Sequence, residues 1–262
     1  MKLSLFVDYN TVWGETLSVE LAHGPSGGDM PEVLPMTMIQ GTSIWHVEIA
    51  VTDLRTLAGV EYTYMVILPD GRVARREWRG HTVPHADVST ARLDLFDAWC
   101  DRPAELPYLS TLFTDCVFRR DESAKNEARL PAPGMLTLQA TAPIVPADCV
   151  LAVAGSIPAL GEWNPDKAVR MADSAYPVWQ AAFVLPPEVT SFEYKFLVVK
   201  RESGEVVSWE PRSNRRFVLP YPLNGGEALV VSGLAVHAPF PLWRGAGVQF
   251  PYSRFVPQRI SE

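Results

Sequence analysis

Apolar and polar residues alternate with a period of two along several stretches of the chain, as they do in half-buried strands. In the stretch "SFEYKFLVVK" the aromatic residues Phe192, Tyr194 and Phe196 alternate with Glu193 and Lys195. The stretch "WQAAFVLP" alternates in the same way. Since no long stretch repeats with the 3.6-residue period of a helix, the pattern predicts an all-β protein.

The same order of strands and turns occurs twice. Three landmarks of the first half recur in the second at offsets of 134, 132 and 133 residues: Trp45, Tyr62 and Gly71 recur as Trp179, Tyr194 and Gly204. The two glycines lie in the dipeptides Asp-Gly and Ser-Gly, which suit hairpin turns. An internal duplication explains the constant offset and predicts two β-sandwich domains in tandem.

Composition divides the chain into four parts. We expect the first sandwich over residues 1–120, a linker over 121–133 and the second sandwich over 134–236. The linker prediction depends on "RRDESAKNEARLPAPG", which is charged and then proline-rich. Residues 237–262 belong to neither repeat.

Composition and charge exclude several classes of protein. With 47% apolar residues, the 262-residue chain has enough material for real cores, so it is not a disordered protein. A net charge of −7 without a cluster of Lys and Arg argues against nucleic acid as a partner. Residues 1–10 turn polar too early for a signal peptide, and no apolar run reaches 18 residues. We therefore expect a soluble cytoplasmic protein without a membrane partner.

Neither the cysteines nor the histidines have the spacing of a metal or catalytic site. Cys100, Cys116 and Cys149 are odd in number, which favours buried thiols over a disulfide. His81 and His85 are four residues apart, but Pro84 breaks the helix that would aim both at one metal. Since there is also no phosphate loop or nucleophile elbow, we expect no catalytic residue, no metal and no cofactor.

Trp163 lies in "VAGSIPALGEWNPDKAVRM", a segment whose glycines, prolines and polar residues are typical of a surface loop. A tryptophan there either pins the loop to the core or remains exposed to contact a ligand. This segment, together with "YPVWQAAFVLP", "FEYKF" and "WEPRSNRRFVLP", resembles the starch-binding domain, the family-20 carbohydrate-binding module, in order and spacing. The resemblance implies a Greek-key, immunoglobulin-like β-sandwich that binds α-1,4-glucans such as starch, glycogen and maltooligosaccharides without cleaving them.

The resemblance also implies a set of glucan-binding residues: Trp163, Lys195, Trp209, Glu210 and Asn214. The two indoles would cover the C–H faces of glucose rings, and the polar groups would bond the hydroxyls. For Glu210 a second interpretation remains open, because its carboxylate could only orient Lys195 or an arginine. Trp179 belongs to the alternating apolar face and is predicted to be core.

The family has a second glucan site led by the tyrosine of a Tyr-Gly-Glu stretch. In the second repeat Ala147 lies near the place of that tyrosine, so this site is expected to be lost there. The first repeat has Trp13 followed by Gly14 and Glu15, so Trp13 is a possible second glucan site or else a packing plug.

The main site is expected to be degraded in the first repeat. The stretch "AHGPSGGDMPEVLPM" has no loop tryptophan, and Thr63 replaces the lysine. Arg76 stands opposite the place of Trp209, although Trp78 is close enough to substitute.

The stretch "PLWRGAGV" at 241–248 resembles the opening of the family-77 glycoside hydrolase barrel of amylomaltase-type 4-α-glucanotransferases, the plant cytosolic disproportionating class. That class uses a carboxylate nucleophile and an acid/base, and we find neither within these residues. After Val248 the sequence departs from that family, which leaves a frame change, a cloned end and a divergent end as alternatives.

Two interpretations of function follow. The first is a non-catalytic glucan-binding tandem, the targeting region of a glucanotransferase. The alternative is a protein-interaction module related to glycogen-sensing regulatory subunits. The two exposed indoles expected in the second repeat favour the first.

Overall fold

The computed structural model describes residues 1–22, 31–101, 109 and 127–236. Several predictions concern parts of the chain outside these residues: the first-half loop at 23–30, Cys116, linker residues 121–126 and the segment 237–262. Cys149 is buried and Cys100 is half-buried. Among the described residues, no helix has the length and apolar character that crossing a bilayer requires.

The described residues form strands joined by loops and short 3₁₀ turns, which confirms the all-β prediction. Nine strands belong to the first half: β1 Lys2–Asp8, β2 Thr16–Leu21, β3 Glu32–Pro35, β4 Thr37–Met38, β5 Ile44–Ala50, β6 Glu61–Ile67, β7 Val73–Arg76, β8 His81–Thr82 and β9 Arg92–Ala98. Nine belong to the second: β10 Met135–Thr141, β11 Cys149–Gly155, β12 Val169–Arg170, β13 Ala172–Ala175, β14 Val178–Val184, β15 Ser191–Lys200, β16 Val206–Trp209, β17 Arg215–Val218 and β18 Glu227–Ala235. The 3₁₀ turns are Leu54–Thr56, Pro158–Trp163 and Pro165–Lys167.

The strand pairing of the first half recurs in the second, as the repeated landmarks predict. In the first half β5 and β9 flank β1, and in the second β14 and β18 flank β10 in the same directions. The other sheet has the order β3-β2-β6-β7 in the first half and β12-β11-β15-β16 in the second. The strands β8 and β17 pair with β6 and β15. Each half is therefore a sandwich of two sheets.

Period-two alternation correctly predicts the inward-facing side chains of the second half. Trp179, Phe183 and Phe196 are 0%, 7% and 0% exposed. Alternation fails for Leu197 and Val199, which share the side of Lys195 and are nevertheless buried. The loop 157–168 and Trp209 cover that side of the sheet at Leu197 and Val199, so this end of β15 is buried on both faces.

The two halves share one eight-stranded sheet because their last strands, β9 and β18, pair in parallel. The pairing aligns Leu93 with Ala228 and Phe96 with Val231. Each last strand lies between its own half and the other, so neither strand is a free edge of the sheet. The sequence contains no signal for this pairing, because the pattern of each strand is that of an ordinary last strand of a separate sandwich.

The cores of the two halves lie on opposite faces of the shared sheet. Alternate residues of β18 point to opposite faces: Ala228 and Val230 enter the first core, while Leu229 and Val231 enter the second. In return Phe96 of β9 packs in the second core, with its ring 5.2 Å from that of Phe217. Each half therefore completes the core of the other.

A buried polar network also crosses the junction, centred on Asp97 of β9. The hydroxyls of Tyr62 and Tyr64 each donate to Asp97 Oδ2 at 2.7 Å, and Ser232 of β18 donates to Oδ1 at 2.5 Å. His81 Nδ1 lies 3.6 Å from Asp97 Oδ1. Burial lowers the pKa of His81, but the charge of Asp97 and hydrogen bonds with Cys100 and Glu77 outweigh this and raise it to about 11. The imidazole is therefore charged at neutral pH.

The shared cores predict that a substitution in the second half weakens the first. Val230→Ala should lower the free energy of unfolding by about 1–3 kcal/mol, because it leaves a cavity in the first core. Hydrogen exchange of the β2 and β6 amides should accelerate. Val184→Ala, at a 65% exposed position of the second half, is the control and should change stability by less than about 0.5 kcal/mol. Unchanged exchange in β2 and β6 would show that the halves are independent.

The raised pKa of His81 predicts a pH dependence of stability. A group whose pKa is higher in the folded state stabilises the fold fully below its unfolded pKa, about 6.5, and progressively less as the pH rises toward 11. Between pH 7 and 9 the free energy of unfolding should fall by up to about 1.4 kcal/mol per pH unit on this account. The neutral His81→Gln variant should lose this slope in urea titrations at a series of pH values. Equal slopes in both proteins would contradict the assignment of the charge to His81.

Candidate functional site

The loop that carries Trp163 has unusual backbone geometry. Gly161, Glu162 and Trp163 have φ angles of 77°, 51° and 66°, in the left-handed region that side chains disfavour. Among the described residues, Glu162 and Trp163 are the positive-φ residues other than glycine. Such backbone costs of the order of 1 kcal/mol or more per residue and persists where the surroundings impose it.

Packing at the base of the loop imposes this geometry. Leu160 is fully buried against Gly155, where an added Cβ would lie 2.7 Å from Leu160 Cδ1. Ser156 and Glu193 exchange two hydrogen bonds: Ser156 N donates to Glu193 O at 2.8 Å, and Glu193 N donates to Ser156 Oγ at 3.0 Å. Trp163 is half-buried. Leu160 therefore anchors the loop, and part of the Trp163 indole remains in contact with solvent.

Three of the other predicted residues lie around β15 on the side of the sheet that faces away from the core. Trp209 of β16 stands opposite Leu197, two residues from Lys195 on the same side of the strand. Lys195 and Trp209 are half-buried, and Asn214 is exposed. The structure thus brings Lys195, Trp209 and Asn214 to one surface, and the Trp163 loop leaves the sheet beside the start of that surface.

Glu193 also lies on this surface, although it is not among the glucan-binding residues that the family resemblance implies. Its Oε2 accepts a hydrogen bond from Asn214 Nδ2 at 3.0 Å, which orients the amide. The signal was present in the sequence, because alternation places Glu193 on the same side of β15 as Lys195.

The carboxylate of Glu210 does not lie on this surface. Glu210 is 3% exposed, and its two oxygens accept hydrogen bonds from Arg215 at 2.5 Å and 3.1 Å. Arg215 in turn donates to the carbonyl of Ala235 on β18 at 2.7 Å. The geometry favours the alternative interpretation from the sequence, in which Glu210 only orients an arginine.

The first half has an equivalent buried acid, Glu77, which pairs with His81 as Glu210 pairs with Arg215. Glu77 N donates to Tyr64 O as Glu210 N donates to Phe196 O. Glu77 Oε1 lies 3.1 Å from His81 Nε2. The oxygens of Glu77 also accept from the backbone of Tyr64 and of Cys100, which explains the cluster of Glu77, His81 and Cys100 without a metal. His85 is exposed and lies outside that cluster.

In the first half, an ion pair occupies the place that corresponds to the surface of Lys195, Trp209 and Asn214. Arg76 stands opposite Met65, the position equivalent to Trp209 opposite Leu197. Its guanidinium pairs with Glu20, which stands opposite Thr63. Trp78 is 44% exposed. This surface is therefore charged where the second-half surface is aromatic.

Trp13 is the most exposed tryptophan among the described residues. Its side chain is 101% exposed on a turn closed by Glu15, whose Oε2 accepts from Val12 N at 3.0 Å. Gly14 has a φ of 89°. The exposure argues against the packing-plug interpretation of Trp13. In the second half the corresponding Ala147 is exposed and presents no ring.

A family model described as the starch binding domain matches residues 136–228. The match begins in β10 and ends in β18, so it covers nearly the whole second sandwich. Residues 136–228 form a starch-binding domain. Its loop and strand residues Trp163, Lys195, Trp209 and Asn214 all fall within the match.

Similar proteins include enzymes that are much longer than this chain. The 4-alpha-glucanotransferase DPE2 of Oryza sativa subsp. japonica is 24% identical over 257 residues, 93% of this chain and 26% of that protein. An alpha-amylase of Thermomonospora curvata is 51% identical over 53 residues, 20% of this chain and 9% of that protein. The chain thus spans about a quarter of the length of the glucanotransferase.

Solved structures also align with part of the chain. The family 20 carbohydrate-binding module of the maltotetraose-forming amylase from Pseudomonas saccharophila STB07 aligns with a TM-score of 0.31 and 21% identity. The alignment covers 37% of this chain and 99% of that structure.

Gly161 should be indispensable for the geometry of the Trp163 loop. An added Cβ at Gly161 would lie 2.7–2.9 Å from Cβ, O and C of Lys167, in addition to its strained φ. Gly161→Ala should therefore displace the loop, which the NMR shift of the Trp163 indole and hydrogen exchange over residues 157–168 would report. Gly59→Ala is the matched control, since Gly59 has a φ of 82° and open space around it. A loop undisturbed by Gly161→Ala would contradict this account.

Proposed function

We propose that the second half of this chain binds α-1,4-glucans without cleaving them, through Trp163, Lys195, Trp209 and Asn214. The observation that carries the proposal is that Lys195, Trp209 and Asn214 share one accessible surface beside the anchored Trp163 loop. A glucose ring has apolar C–H faces and a rim of hydroxyls. Half-exposed indoles remove the faces from water, while an ammonium and an amide bond the rim.

The expected affinity is low. An indole that covers about 50 Å² of a sugar face contributes about 1 kcal/mol at ~25 cal/mol per Å². Two indoles with a few hydrogen bonds correspond to about −4 kcal/mol, a millimolar dissociation constant. Such a domain would concentrate a protein on a polymer rather than capture single sugars.

The relatives support the ligand class. Residues 136–228 match the starch-binding family, and two relatives are named as a 4-alpha-glucanotransferase and an alpha-amylase. We propose that the chain acts as a cytoplasmic targeting region for a 4-α-glucanotransferase domain, with catalysis outside residues 1–236. The surface itself offers stacking and hydrogen bonding, not an acid and a nucleophile flanking a scissile bond.

Trp13 is proposed as a second, weaker contact for long glucans. Its ring is fully exposed and can stack on a sugar without rearrangement. A second weak contact raises apparent affinity only when one ligand spans both sites.

Substitution of Trp163 and of Trp209 tests the proposal. Trp209→Ala and Trp163→Ala should each weaken binding of maltoheptaose about fivefold, the equivalent of about 1 kcal/mol. Trp13→Ala should leave maltoheptaose binding unchanged and weaken sedimentation with insoluble starch. Calorimetric titration and a starch pull-down measure the two effects.

Two results would contradict the proposal. If the unaltered protein stays in the supernatant while a known starch binder sediments, the protein-interaction alternative gains support. If Trp13→Ala abolishes maltoheptaose binding and Trp209→Ala does not, the main site is in the first half.

A further inference from the structure

A cavity of about 150 Å³ opens on the same side of the second sheet as Lys195 and Trp209. We call it the extension pocket. Its floor is formed by Ala152 and Val199 of the two central strands, and its walls include Asp166, Arg170 and Ser203. None of these residues belongs to the set that the starch-binding motif implies.

The extension pocket lies beside the proposed glucan surface, against β11, β12 and β15, whereas Trp209 belongs to β16 on the other side of β15. Val199 follows Lys195 by four residues on the same side of β15, about 13 Å away at 3.3 Å per residue. Leu197 lies between them and stands opposite Trp209. On the other wall, Asp166 follows Trp163 by three residues in the same loop. A ligand that continues from Trp163 along the loop toward Asp166 would therefore meet the pocket.

The side chains of the extension pocket suit a neutral sugar. Arg170 Nη1 donates to the carbonyl of Arg201 at 3.0 Å, which fixes the guanidinium at the rim. Gly204 makes room for it, since an added Cβ there would lie 3.0 Å from Arg170 Nη2. The carboxylate of Asp166 has no hydrogen-bond or ion-pair partner within the part of the chain that the structure describes.

A donor and an acceptor of opposite charge in one pocket favour a ligand with adjacent hydroxyls over an anion or a cation. Arg170 can donate to a hydroxyl oxygen, and Asp166 can accept from a hydroxyl hydrogen. A single glucose unit matches this combination.

We propose that the extension pocket is an additional subsite that holds a further glucosyl unit of a chain already bound at Trp163 and Trp209. This inference rests on the proposed function. It predicts that the protein distinguishes long maltooligosaccharides from short ones, because maltose cannot occupy the tryptophans and the pocket together.

Titration of the full chain with maltose and with maltoheptaose tests the subsite. Arg170→Ala and Asp166→Ala should each weaken maltoheptaose binding about three- to tenfold, the range of one or two lost hydrogen bonds, and leave maltose binding unchanged. Ala168→Leu, which fills the cavity, should have the same effect without removing a charge. Arg72→Ala is the matched control, an exposed arginine beside the equivalent hairpin turn of the first half.

The outcomes separate the two proposals. If Trp209→Ala leaves both sugars unaffected, the proposed function is wrong. If Trp209→Ala weakens both sugars while the three pocket variants change neither, the glucan surface stands and the extension pocket is overturned. Equal losses for maltose and maltoheptaose in the pocket variants, with unchanged near-ultraviolet circular dichroism, would also overturn it.

Discussion

The parallel pairing of β9 with β18 is the interaction on which the rest of the structure depends. Because these strands pair, each is buried on both faces, and its alternate side chains divide between two cores. Val230 of the second half and Phe96 of the first are core residues of the other half. Neither sandwich closes its core with its own residues alone, so two domains that look autonomous in sequence are parts of one folded unit.

Within this unit each half contains a buried pair of an acid and a cation at the equivalent place. The pairs Glu77 with His81 and Glu210 with Arg215 occupy equivalent places, and each reaches toward a terminal strand. Removing one partner of such a pair leaves an uncompensated buried charge, which explains why an acid is present in both copies. The exposed surfaces next to these pairs differ, because Arg76 pairs with Glu20 in the first half where the second half has Trp209. Duplication has thus left a common interior under two different exteriors.

In the candidate site the backbone strain lies at Trp163, the residue whose indole must remain partly exposed to contact a sugar. Trp163 is held in left-handed backbone, a conformation that costs free energy. Burial of Leu160 and the exchange of hydrogen bonds between Ser156 and Glu193 offset that cost. A rigid loop loses little further entropy when a sugar binds, which matters for a site whose total binding free energy is small.

The sequence by itself determined the strands, the repeat and the positions of the aromatic residues, because alternation and turn chemistry are local properties of the chain. It correctly placed Trp179 in the core and predicted a starch-binding domain in the second half. It could not decide whether Glu210 faces solvent or Arg215, nor that Leu197 and Val199 are covered on their outer side. Those outcomes depend on which distant segments pack together. The pairing of β9 with β18 was likewise decided only by tertiary structure, since any terminal strand offers the same backbone hydrogen bonds and only packing selects its partner.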